Sequence, residues 1–166
     1  MAAGAFCENR LGALSPDGLT VAVLNANGSV LLGCLGESSF DTASSAIEIP
    51  PAQLLAFSPD AECLACAHED GSVSTVCVSD ARQVCLAQAL PHTNATQVSA
   101  MAYRDTETLV IARASGEVEV WDMVRLQRLF EFPAPLENEA CKLLHRMGDN
   151  MVCVGETRAC ILQIGN

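Results

Sequence analysis

Along most of the chain apolar and polar residues alternate in short runs, parted by Gly, Pro, Asn and Asp. Glu117-Val118-Glu119-Val120 shows the pattern most clearly, with Val118 and Val120 pointing one way and Glu117 and Glu119 the other, as a half-buried strand requires. Such runs return about every eleven residues, the habit of an all-β chain, and no stretch sustains a helical period. The pattern predicts fifteen strands: residues 11–14, 20–24, 30–35 and 46–49; 54–57, 63–68, 73–78 and 83–88; 98–103, 108–113, 117–122 and 128–132; 141–145, 151–154 and 159–164. A sixteenth would complete four sets of four. Residues 36–45 read as a polar loop, and Pro50-Pro51 and Pro133-Ala134-Pro135 mark exposed connections where a missing N–H does no harm.

The runs belong to a longer repeat. Ser15-Pro16-Asp17-Gly18 returns 43 residues later as Ser58-Pro59-Asp60-Ala61, and the turn Asn27-Gly28 returns as Asp70-Gly71 after 43 residues and as Ser115-Gly116 after 45 more. A period of that length marks a four-stranded propeller blade, which must stack on neighbours to bury its faces. With Trp121-Asp122 closing the run after Ser115-Gly116, the chain resembles the WD-repeat family of β-propellers. The expectation is therefore an all-β fold, a WD-repeat-like β-propeller or partial propeller of about four blades of four antiparallel strands. A single domain over 1–166 is expected, with blades at about 11–49, 53–88, 98–132 and 140–164. The resemblance also implies a structural role for Trp121, for Asp122 and for His92, which follows Pro91 where the family often has Gly-His. Val76-Cys77 and Gly33-Cys34 stand in place of Trp-Asp in the second and first blades, and Arg113 and Ser115 occupy two positions of the family's buried polar network.

Half of the 166 residues are apolar and 17% are charged, enough apolar material for a core. A net charge of −11, with Lys142 the only lysine, argues against binding a nucleic-acid backbone or an anionic membrane, both of which need clustered cations. Basic partners fit better. The first ten residues show no basic leader or long apolar run, Ala2 rules out a myristoylation start, and no window is apolar enough for a membrane span. An intracellular protein, cytoplasmic or nuclear, is the expectation. Nine cysteines, an odd number scattered through predicted strands, read as small hydrophobes in a reducing compartment.

Little chemistry stands out. Cys63-Leu64-Ala65-Cys66 has a C-x-x-C spacing with His68 beyond it, but on a strand residues 63 and 66 face opposite ways and no second pair completes a zinc site. His68, His92 and His145 are the only histidines, and no phosphate loop or nucleophile motif accompanies them. His68 and His145 read as surface residues. No metal, cofactor or catalytic residue is expected.

What the resemblance implies is a non-catalytic scaffold for protein complexes. Partners would dock on the end formed by inter-blade loops and by the turns between second and third strands. That end would carry Asn25, Asn27, His92 and Glu156, with His68, Glu69, Asp70, Arg113, Glu137 and Glu139 as the candidate partner-binding residues. Basic peptide segments suit its carboxylates. A second expectation is a structural subunit or fragment whose blade edges complete a propeller with another copy or a partner, since WD-repeat rings close with about seven blades. If each terminal blade exposes on the order of 400 Å² of apolar surface, the unrealised burial is about 20 kcal/mol for the pair. Residues 3–7 are a candidate closing strand beside 159–164. An enzyme using a Cys or His site is the third and least supported alternative.

Overall fold

The computed structural model describes residues 12–35, 40–41, 49–78, 84–90, 96–137 and 139–164. Fifteen strands run through them: β1 Gly12–Leu14, β2 Thr20–Leu24, β3 Val30–Leu35, β4 Phe40–Asp41, β5 Ala52–Phe57, β6 Cys63–His68, β7 Val73–Val78, β8 Val84–Ala89, β9 Val98–Tyr103, β10 Thr108–Arg113, β11 Glu117–Asp122, β12 Gln127–Pro133, β13 Leu143–Met147, β14 Asn150–Val154 and β15 Ala159–Leu162. They form antiparallel sheets of consecutive strands, β1–β4, β5–β8, β9–β12 and the three-stranded β13–β15. The strands expected at 20–24, 30–35, 63–68, 73–78, 98–103, 108–113 and 117–122 stand at those bounds.

The fourth strand of the first sheet is Phe40–Asp41, inside the stretch read as a polar loop, where Leu35 pairs with Phe40 and Cys34 with Asp41. An aromatic residue with strand preference sits amid serines there, and a two-residue strand is too short for alternation to reveal. The first strand of the last sheet begins at Leu143 rather than residue 141. The candidate closing strand at residues 3–7, His92 and most of the predicted strand 46–49 lie outside the described residues.

Local chemistry builds the repeated turns. Ser15 Oγ accepts from Thr20 N (2.8 Å) while Asp17 Oδ1 accepts from Leu19 N (2.9 Å). The same arrangement returns as Ser58 Oγ with Cys63 N (2.9 Å) and Asp60 Oδ1 with Glu62 N (3.1 Å). Serine and aspartate thus hold open backbone N–H groups that the hairpin leaves unpaired. At the second turn Gly28 has φ +80°, and an added Cβ would meet Pro51 Cβ at 2.6 Å, so only glycine lets Ala52 N donate to Gly28 O.

Two compact units result. Met1–His68 with Val73–Ala89 packs around Ala22, Leu24, Val30 and Leu32 against Leu64, Cys66 and Val76. Glu69–Ser72 with Leu90–Asn166 packs around Val110, Ala112 and Val118 against Leu136, Leu144, Met151 and Leu162. In this second core the fully buried Cys141 and Cys153 lie against each other, with Cα atoms 5.9 Å apart. Both approach the same core from adjoining segments, a proximity that spacing along the chain does not reveal. Cys66 is the small buried hydrophobe expected.

Candidate interaction surface

The hairpins β6–β7 and β10–β11 end in the turns that were expected to carry partner-binding residues. Each hairpin places one side chain at the end of its first strand and one six residues later in its second. In β6–β7 these are His68 and Ser74. His68 is 3% exposed, its Nδ1 donates to Pro51 O (3.2 Å) and its Nε2 meets Ser74 Oγ (2.5 Å). In β10–β11 they are Arg113 and Glu119, 4% and 0% exposed.

Arg113 spends its guanidinium inside the protein. Its Nε and Nη2 donate to the two carboxylate oxygens of Glu119 (3.1 and 3.0 Å), and its Nη1 donates to Gly71 O (2.6 Å) and Thr96 O (3.0 Å). Trp121 Nε1 also donates to Glu119 (2.8 Å), and Arg128 Nη1 stands 3.8 Å from it. Buried ions persist only with such full partnering. These findings correct three expectations. His68 is buried rather than superficial, Arg113 is internal rather than part of a docking face, and Glu119 lies on a covered face rather than a wet one. The reason is common to all three: the side of each hairpin that alternation marks as polar is itself packed, and polar residues there bond to one another. Trp121, 2% exposed, anchors this side, and the sequence held a clue in its parity with Glu119.

Asp122 closes β11 as a turn cap. Its Oδ1 accepts from Arg125 N (2.8 Å) and Val124 N (2.9 Å), and Oδ2 meets Arg125 Nη1 at 3.0 Å. The Arg125 backbone N–H, opposed by desolvation and helped by the Val124 N–H and the guanidinium, holds its carboxyl below the usual carboxylate range. The corresponding pair in β6–β7 is Cys63 and Cys77, with sulfurs 3.8 Å apart. Burial, then the neighbouring Cys77, pushes the Cys63 thiol up to about 12, and burial alone takes Cys66 to about 12, so neither is a thiolate at neutral pH. Among the described residues no three metal-binding side chains converge.

The remaining expected residues reach solvent in the second unit. Glu69 and Asp70 are exposed, and Asp70 Oδ1 accepts from Ser72 N (2.9 Å) and Ser72 Oγ (2.6 Å). Glu137 is exposed and pairs with Arg158 (2.5 Å). Glu139 accepts from the hydroxyl and the backbone N–H of Thr157, which in that order hold its carboxyl below the usual range. Glu137 and Glu139 line a groove of 310 Å³ with Ser115, Gly116 and Pro133. At the other end of the β9–β12 sheet a groove of 590 Å³ is lined by Arg104, Glu107, Leu129, Phe130 and Ile164, with Phe130 55% exposed. Sequence reading missed this second groove, because Leu129 and Phe130 sit in an apolar run that looks like core.

Comparison with solved structures decides the architecture. Over 94% of this chain, the WD40 repeats of RRP9 superpose with a TM-score of 0.72 at 15% identity. The β-propeller domain of Myceliophteria thermophila Cps50 (Swd1) does so over 93% with a TM-score of 0.72 at 12% identity. The fold is that of a WD40 β-propeller. Hydrazine synthase from Kuenenia stuttgartiensis also contains a similar arrangement, over 95% of this chain with a TM-score of 0.69 at 19% identity. The chain spans about half the length of these structures, 49%, 52% and 46% respectively, so its four sheets correspond to a partial WD40 propeller. No protein-family model and no curated protein matches the sequence.

Proposed function

We propose that this partial WD40 propeller is a non-catalytic interaction scaffold of a multiprotein complex, intracellular, that receives a basic peptide segment on the acidic turn end of its second unit. The observation that carries the reading is the exposure of Glu69 and Asp70 on a turn whose Gly71 carbonyl accepts from the buried Arg113, in the same unit as Glu137 and Glu139. Fixed carboxylates on a pre-ordered turn bind cations without the entropic cost of ordering a loop. His68 and Arg113 drop out of the contact surface and become its support. The test is fluorescence anisotropy with a labelled Arg/Gly peptide against the chain and its Glu69→Lys/Asp70→Lys variant. A roughly tenfold or larger loss of affinity is expected, and equal binding by both proteins would sink the reading.

A second reading treats the sheet faces as the functional surface, with the chain a structural subunit or fragment that completes a propeller with another copy or a partner. Among the described residues the last sheet has three strands, and the chain spans about half of the solved propellers it matches. Charge reversal at Glu69 and Asp70 would leave such an assembly intact.

A further inference from the structure

The C-x-x-C spacing of Cys63 and Cys66 brings two thiols close in sequence, yet the fold sets them apart. Cys66 is fully buried and packs into the first core with Leu64 and Val76. Cys63 lies on the opposite face of β6 and meets a different thiol, that of Cys77 across the ladder in β7, with sulfurs 3.8 Å apart. Both of these are half-buried, so a small reagent can reach them.

The register suits a bridge. Val78 N donates to Glu62 O (2.7 Å), which makes Cys63 and Cys77 a pair without ladder hydrogen bonds of its own. Paired Cα atoms at such positions stand about 4.5 Å apart, at the short end of the roughly 4.4–6.8 Å that disulfides span. A bridge is therefore within reach of the folded backbone, and its short span favours reduction. Packing does not call for two thiols at this place, because the corresponding pairs are Thr20 with Cys34 in β2–β3 and Thr108 with Asp122 in β10–β11. Cys77 stands where Asp122 caps its turn and offers no carboxylate for that task.

We propose that Cys63 and Cys77 are a reversible disulfide site, closed by a small-molecule disulfide of the glutathione class and reopened by thiols. Burial, then the neighbouring Cys77 and the carboxylates of Asp60 and Glu62, keep the Cys63 thiol protonated, so Cys77 opens the exchange. The Cys77 sulfur gives up its proton and attacks one sulfur of the oxidant, whose S–S bond breaks as one glutathione thiolate leaves. Cys63 then gives up its proton, its sulfur attacks the Cys77 sulfur of the mixed disulfide, and the second glutathione leaves. The two departing thiolates take up the two protons. Two protein thiols are oxidised to one disulfide, and one glutathione disulfide is reduced to two thiols. The bridge closes residues 63–77 into a covalent ring that contains the exposed Glu69 and Asp70.

The test is incubation of the folded, reduced chain with glutathione disulfide, then alkylation of free thiols, cleavage after glutamate and mass spectrometry. Cleavage after Glu62 and Glu69 separates the cases: a bridge from Cys63 to Cys77 joins two peptides, whereas one from Cys63 to Cys66 stays within a single peptide. The joined peptides are expected at roughly tenfold or more over the internal bridge, because Cys66 faces the core. They should vanish on addition of dithiothreitol, and in urea, where no strand holds the register, the preference for them should be lost. Cys77→Ser and Cys77→Ala, checked for folding by circular dichroism, should yield no joined peptides, which excludes Cys85 of the same peptide as the partner. Cys63→Ser should stop at the mixed disulfide, with one glutathione held on Cys77. A folded chain that yields no joined peptides, or yields them in both Cys77 variants, overturns the proposal. So does a folded chain in which the internal Cys63–Cys66 bridge dominates.

Discussion

In the β6–β7 hairpin an imidazole, His68, meets a hydroxyl, Ser74; in β10–β11 a guanidinium, Arg113, meets a carboxylate, Glu119. The positions correspond at a spacing of 45 residues, and so do the carbonyls that the two donors reach, Pro51 O and Thr96 O. One backbone therefore tolerates two chemistries at the same buried place. They differ in what they demand. The His68–Ser74 pair brings two groups of modest hydration out of water, which one or two hydrogen bonds offset. The Arg113–Glu119 pair brings out two full charges, and it persists because two carbonyls, an indole N–H and a bidentate contact satisfy nearly every donor and acceptor. The charged version ties more elements together and has more to lose.

Glu119→Ala should therefore be the most damaging single change, since it strands Arg113 and the Trp121 N–H in a dry site, and a loss of about 3–5 kcal/mol in urea denaturation is expected. A loss below about 1 kcal/mol would show that water enters and the pair is not truly buried. Transplanting the other hairpin's chemistry, Arg113→His with Glu119→Ser, should be less harmful than the sum of its two single changes, with a coupling of about 1–3 kcal/mol in a double-mutant cycle. Strict additivity would mean that the two hairpins are not interchangeable environments. Ser74→Ala should cost about 1–2 kcal/mol by leaving His68 Nε2 without its hydroxyl, a smaller loss than Glu119→Ala in the same assay.

The smallest effect concerns the turn caps. The lowered pKa of Asp122 means that its folded form prefers the carboxylate, so the stability it contributes is present above the unfolded pKa and fades as pH falls through the lowered folded value. Asp122→Asn should remove that acid-side component and leave the difference between variant and wild type smaller at pH 2 than at pH 7. A constant difference across that range would exclude the carboxylate's charge as the cause. Cys77 holds the corresponding place in β6–β7, so Cys77→Ala should show no such acid-limb component.

The comparison also shows how far sequence reading extends. Hairpin positions and their turns were legible, because alternation and the Ser-Pro-Asp and Asn/Asp/Ser-Gly signals are local properties of a few neighbouring residues. Of the expected docking residues, Glu69, Asp70 and Glu137 are exposed and Glu139 half-buried, whereas His68 and Arg113 are internal. Alternation assigns a side chain to one of two faces but says nothing of what covers either, so Glu119 read as wet when it is the least accessible carboxylate described.

By itself the sequence determined an all-β chain of short strands, its repeat near 43 to 45 residues and the turn chemistry of its hairpins. Tertiary structure alone decided that both faces of the β10–β11 hairpin are packed, that Cys141 lies against Cys153, and that Phe40–Asp41 completes the first sheet. The physical reason is range. Period and turn type are written in residues a few places apart, whereas the burial of a charged pair depends on carbonyls as distant as Gly71 from Arg113, whose nearness exists only once the sheets have formed.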